Sequence, residues 1–151
     1  MINILFLDID GVLNSERSCI AFNAYPWDLS KESLKQFDWV AIGLIRRICK
    51  ETNTKIVLSS TWRLSINYKD IAKAFDLPII DKTPHRFSSN RGEEIALWLR
   101  DHKPTKYNYV IVDDASDIID YQLPRFVKVN PITGLSLNDY YKIKLIIGVN
   151  K

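Results

Sequence analysis

Cysteine is scarce in this chain. Cys19 and Cys49 stand alone, thirty positions apart, which fits neither a zinc-ligand spacing nor a disulfide framework. Two reduced thiols in an intracellular protein are the expectation. Glycine (5) and proline (6) are also few among 151 residues, which excludes collagen-like repeats and linker-rich or low-complexity character. No apolar run approaches the roughly 20 residues that span a bilayer. The first apolar run, Ile2 to Ile9, is interrupted by Asn3 and Asp8 and is preceded by no basic leader. A soluble cytoplasmic protein that does not engage a membrane is therefore expected. Neither sign of charge dominates: 21 Lys and Arg face 18 Asp and Glu, with the excess spread over both halves. No basic run marks a dedicated nucleic-acid binder, although nucleic acid stays open as a substrate.

What remains is ordinary globular usage, 46% hydrophobic and 26% charged. The length suits one domain covering residues 1–151, large enough to hold a core without staples. Four short apolar runs read as buried strands: Ile2–Ile9, Lys55–Ser59, Tyr109–Val112 and Phe126–Val129, with a weaker fifth at Pro78–Ile80. The first three are nearly continuous rather than alternating, as strands are when both faces of a parallel sheet are covered. Helical spacing fills the intervals. Asp38 can cap a helix from Trp39 to about Glu51, with Ala41, Leu44, Ile45 and Ile48 inward and Asn53 at its exit. Further helices are expected over Tyr68–Phe75 and Gly92–Asp101. A last one starts near Asn138, with Tyr141, Leu145 and Ile146 inward. The stretch from Glu16 to Lys35 has no clear period and reads as a long loop or a flap. The alternation of strands and helices predicts an α/β, Rossmann-like three-layer fold with a mostly parallel central sheet.

In such sheets ligands bind beyond the carboxyl ends of the strands. There the sequence places Asp8, Asp10 and Gly11, then Ser59, Ser60, Thr61 and Arg63, then Asp113, Asp114 and Asp117. Asp8 and Asp10 lie on one side of an extended chain, at roughly 6.6 Å of rise, and so can flank a phosphoryl group. Aspartate is depleted in strands, so these two are unexpected as mere strand terminators. Adding Asp113 or Asp114 makes the all-oxygen, highly charged setting that Mg²⁺ prefers. Ser59, Ser60 and backbone N–H groups at a strand end can hold phosphate oxygens, and Arg63 offers a bidentate contact. Trp62, beside Arg63, is a candidate to line the pocket or stack on a base. His85 and His102 read as surface residues.

The run ILFLDIDGVLN resembles the first motif of the haloacid dehalogenase-like (HAD) phosphohydrolases, an apolar strand followed by DxDG. IVLSS resembles their second motif and YVIVDDASD their fourth. Arg91, opening RGEEIALWL, fits the third, with Lys82 as second choice. SSTWR, RGEEIALWL and IVDD together look like the small HAD domains associated with RNA-repair proteins. The resemblance implies that Asp8 is a nucleophile forming an aspartyl-phosphate, and that Asp10 is the acid and base. It implies that Ser59 or Ser60 and Arg91 hold the phosphoryl group. Asp8, Asp114 (or Asp113) and the main-chain carbonyl of Asp10 would hold Mg²⁺. The intervals Asn14–Thr54 and Leu64–Asn90 are too short for a separate cap domain. A Mg²⁺-dependent phosphomonoesterase with an open site is expected, acting on a phosphorylated substrate such as a nucleic-acid end or a nucleotide. The alternative is a non-catalytic HAD-fold module that binds phosphorylated partners.

Overall fold

The computed structural model describes residues 2–102 and 107–148. Its frame is a five-stranded sheet made of β1 (Ile2–Leu7), β2 (Thr54–Leu58), β3 (Ile79–Lys82), β4 (Tyr107–Asp113) and β5 (Phe126–Lys128). The strand order is β3-β2-β1-β4-β5, and every pairing is parallel. Parallel neighbours need crossovers: α3 (Trp39–Thr52), α4 (Tyr68–Phe75) and α5 (Arg91–Asp101) lie in three of them, the 3-10 turn Asp120–Arg125 links β4 to β5, and α6 (Leu137–Ile147) follows the last strand. Two shorter helices, α1 (Glu16–Phe22) and α2 (Lys31–Lys35), precede α3.

Strand alternation sorts the core into two. Leu5, Leu7, Ile56, Leu58, Val110 and Val112 face the α3, α4 and α6 layer, where they pack with Ile45, Ile48, Ile71 and Ile143. Ile4, Phe6, Val57 and Ile111 face α5 and meet Ile95 and Trp98. The result is a three-layer α/β sandwich of Rossmann-like type. Neither the segment between β1 and α3 nor that between β2 and α5 holds a separate folded cap.

Several boundaries differ from the sequence expectation. β1 ends at Leu7, because the chain turns at Gly11 and Ile9 is already in that turn, its carbonyl accepting from Val12 and Leu13. The weak fifth strand lies at Ile79–Lys82, shifted to follow the end of α4. The Glu16–Lys35 stretch is neither a bare loop nor a single flap. Ser15 caps α1 through a box with Ser18, and Ser30 caps α2. Serine at both ends of the α1 box carries a weak sequence signal. The buried face of α6 is Tyr140, Ile143 and Ile147; of the expected inward residues, Ile146 is half-buried against the core, whereas Tyr141 is 57% and Leu145 68% exposed.

Candidate active site

The strand ladder fixes the site before any side chain acts. Asp8 N–H donates to Val112 O at 3.0 Å, Ser59 N–H to Leu7 O at 3.0 Å, and Val129 N–H to Asp113 O at 2.8 Å. The pairing of Leu7 with both Leu58 and Val112 puts Asp8 level with Ser59 and Asp113 at the next register. All three share the parity of Phe6, Val57 and Ile111, so they fall on the face covered by α5.

On that face Asp8, Asp113 and Asp114 each bring a carboxylate oxygen within 4.8 Å of the others. Gly11 makes room for this. It turns at φ +80°, and a β-carbon there would overlap the Asp114 carboxylate. Across the cluster stands Arg91, whose Nη1 lies 2.6 Å from Asp113 Oδ2 and 3.3 Å from Asp8 Oδ1. Arg91 is aimed there by the start of α5. Asn90 caps the helix, while Asp117 accepts from the backbone N–H groups of Arg91 (3.1 Å) and Gly92 (2.9 Å). Gly92 has no side chain because the backbone of Ile118 and Ile119 presses against it.

One guanidinium does not balance this cluster. Burial pushes the Asp8 carboxyl above the ordinary range, Arg91 pulls it down, and Asp114 pushes it up again. Asp113 is pushed up to about 8, first by burial and then by Asp8, against the pull of Arg91. The Ser59 hydroxyl is buried and has no hydrogen-bond partner; such a group costs about 1–3 kcal/mol unless something completes it. Hard oxygen donors, unmet negative charge and an orphaned hydroxyl suit a divalent cation such as Mg²⁺ together with a phosphate oxygen.

Asp10 stands apart from the three-carboxylate cluster, on the exposed side of the turn. Its Oδ1 accepts from Trp62 Nε1 at 3.1 Å and from Asn14 Nδ2 at 3.0 Å. Asn14 is buried, and its own Oδ1 accepts from the Gly11 N–H at 3.0 Å, so one amide braces both the turn and the acid. Asp10, also a sequence candidate for the metal, is not among the three carboxylates that come within 4.8 Å of one another. Asn14 was not singled out from sequence; its place three residues after Gly11 was the only signal.

The remaining candidates divide. Ser60 caps the 3-10 turn Thr61–Leu64, its Oγ accepting from the Trp62 N–H at 3.2 Å, whereas Ser59 is free to meet a ligand. Arg63, expected to contact phosphate, has its guanidinium committed within the fold. It is buried, pairs with Glu94 at 2.8 Å, and spends its other donors on the carbonyls of Ser59, Ser60, Thr83 and Pro84. A guanidinium at this strand end serves as an internal tie, because five donors close the exposed carbonyls of two loops at once. Lys82 is exposed at the end of β3, two strands from β1, and Arg91 holds the central place instead. Trp62 is buried against Phe37, with ring centroids 5.5 Å apart, so its face is not open to a base. Thr83, beside Ser59 through a 3.0 Å bond from its N–H to Leu58 O, carries a second buried, unpartnered hydroxyl that sequence reading missed. His85 and His102 lie off this cluster, beside Glu94 and Asp81.

A parallel α/β sheet with an acidic cluster after its central strand, an aspartate two residues on, and a basic residue opening the facing helix defines a small HAD-like domain. The chain belongs to the family described as the HAD domain in Swiss Army Knife RNA repair proteins, which it matches over residues 4–140. No curated protein and no solved structure matches it significantly. Among the described residues no helix is long and apolar enough to cross a membrane.

Proposed function

We propose that the protein is a Mg²⁺-dependent phosphomonoesterase working through an aspartyl-phosphate on Asp8, with nucleic-acid ends or nucleotides as its substrates. The observation that carries this reading is the position of Asp8. It stands at the end of the central strand, inside the Asp8–Asp113–Asp114 cluster, with its Oδ1 3.3 Å from Arg91 Nη1, whereas Asp113, 2.6 Å from the same Nη1, has its other oxygen accepting from the Ala115 N–H. The family description, which names RNA repair, supports the substrate class.

An oxygen of Asp8 attacks phosphorus as the ester P–O bond breaks. Asp10 gives its proton to the departing oxygen, so the alcohol leaves neutral. Water then attacks the phosphorus of the aspartyl-phosphate and passes a proton to Asp10. The Asp8–phosphorus bond breaks, inorganic phosphate is released and both acids are restored. Splitting one displacement into two lowers each barrier. Arg91 and the Ser59 hydroxyl hold the non-bridging oxygens, which is most of what a loose phosphoryl-transfer transition state requires. Asp8, Asp113, Asp114 and the Asp10 carbonyl would hold Mg²⁺, which supplies charge neutralisation for the phosphoryl oxygens.

Turnover of a generic aryl phosphate with and without Mg²⁺, in wild type and Asp8→Asn, tests this. Metal-dependent release of phosphate that the variant loses is the expected result. Tight binding of a phosphate mimic without turnover in the wild type would return the protein to a binding module.

A further inference from the structure

Beside Asp10 lies a notch of about 250 Å³ lined by Asp10, Pro26, Trp27, Thr61, Trp62 and Ser65. Two segments build it. The 3-10 turn after β2 brings Thr61, Trp62 and Ser65, and the connection between α1 and α2 brings Pro26 and Trp27. Their contributions differ. Trp62 is spent, its ring packed on Phe37 and its N–H on Asp10. Pro26 is buried and anchors its segment. Trp27, the next residue, is 79% exposed at the notch.

A tryptophan left that open forgoes a large burial gain, about the largest any side chain can offer. Of the other three tryptophans, Trp62 and Trp98 are buried, and Trp39, 42% exposed, rests its ring edge-on against Phe75. The position is also chemically marked. Whichever group departs with the oxygen that Asp10 protonates must lie on the Asp10 side of the phosphorus, and the notch is on that side. Its volume is below the roughly 300–1,000 Å³ of pockets that enclose a ligand. It suits one planar ring laid against a wall, with the rest of the molecule in solvent. Thr61 and Ser65, both exposed, offer hydroxyls to the edge of such a ring.

We infer that Trp27 is a stacking platform for a nucleobase of the leaving group, with Thr61 and Ser65 at the base edge. The inference rests on the phosphomonoesterase reading for its orientation and deepens it. It makes Trp27, in the segment before α2, the residue that separates base-bearing phosphates from plain sugar phosphates. Stacking acts on the ring face, so the platform accepts any base, and Thr61 and Ser65 supply only a modest preference.

The test compares wild type, Trp27→Ala and Trp27→Phe on a nucleoside monophosphate, an end-phosphorylated oligonucleotide and ribose 5-phosphate. In Trp27→Ala, kcat/KM on the base-bearing substrates should fall about tenfold or more relative to ribose 5-phosphate, and Trp27→Phe should recover most of it. The oligonucleotide and mononucleotide arms show whether a free nucleotide or a strand end is the better source of the base. A loss of similar size on all three substrates, or no loss on any, overturns the platform and leaves the phosphomonoesterase reading standing. If wild type hydrolyses none of them, that reading fails, and binding decides the platform. Nucleoside monophosphate should then quench the tryptophan emission of Asp8→Asn and not that of Asp8→Asn with Trp27→Phe. Equal quenching in both overturns it.

Discussion

The Asp114 carboxylate occupies the space that a β-carbon on Gly11 would need, so the turn after β1 and the acidic pair after β4 are fitted to each other. Gly11→Ala is therefore a lesion in the proposed metal site as well as in the turn. The left-handed φ of +80° costs an L-residue about 1–2 kcal/mol. Displacement of Asp114 by even 1 Å should lower kcat about 100-fold. Mg²⁺ should raise the wild-type melting temperature by mass action. Titration of Tm with Mg²⁺ should show that rise lost in Gly11→Ala, as in Asp114→Ala. A rise that persists in both variants would place the cation elsewhere.

Asp10 and its two donors can be separated from phosphate binding. Asp10→Asn keeps an amide oxygen to accept from Trp62 and Asn14 but has no proton to exchange. Its kcat should drop by about 10²- to 10⁴-fold. Trp62→Phe keeps the packing on Phe37 and deletes the N–H. Steady-state kinetics should show a lower kcat, by about tenfold, with KM near wild type. The reverse pattern would mean that Trp62 touches the substrate.

Arg63 predicts a loss of stability where a phosphate ligand would predict a loss of affinity. Its pair with Glu94 is buried on both sides, and removing one partner of such a pair costs about 3–5 kcal/mol. Arg63→Met should lower the unfolding free energy from urea melts by that amount, read as a lower midpoint at unchanged slope. A normal midpoint with a raised KM would restore Arg63 to the phosphate site.

Glu51 ties α3 to α6. It accepts from Lys144 Nζ at 2.7 Å and Tyr140 Oη at 2.8 Å, and pairs with Arg47 within its own helix. These partners hold its carboxyl down to about 2, from the ordinary 4.5. A depressed carboxyl stabilises the fold above its unfolded pKa, and that stabilisation fades as pH falls toward the folded value. The gap in Tm between wild type and Glu51→Gln should be open at pH 7 and narrow between about pH 4.5 and 2. A gap that is constant across that range would mean the ion pairs contribute nothing.

The strands nearest the site were legible in sequence because both of their faces are buried, which makes β1, β2 and β4 continuous apolar runs. The acidic cluster was legible because aspartate has no reason to end such runs. The face of α6 was not. Tyr141 and Leu145 repeat at helical spacing as well as Tyr140, Ile143 and Ile147 do, and only the opposing α3 and β4 choose between them. Ile143→Ala should cost about 2–5 kcal/mol and Leu145→Ala under about 0.5 in denaturant melts. Arg63 was misread for a similar reason. A guanidinium after a strand looks the same in sequence whether it faces a ligand or closes loop carbonyls. Which of Ser59 and Ser60 is open depended on a cap, and Asn14 acts through a turn geometry that its residue type does not announce.

The strand order has a consequence for how the protein is made. β1 is the first strand in the chain yet lies in the middle of the sheet, flanked by β2 and β4. Its Asp8 meets Asp113 only after more than a hundred further residues have left the ribosome. Until then one edge of β1 stays unpaired and the carboxylates are too far apart to share an ion. Contacts this distant in sequence close slowly, because loop entropy is lost before the pairing gains form. The nascent chain therefore carries an apolar strand with an open edge until β4 emerges, and the Asp8–Asp113–Asp114 cluster forms only once β4 has paired.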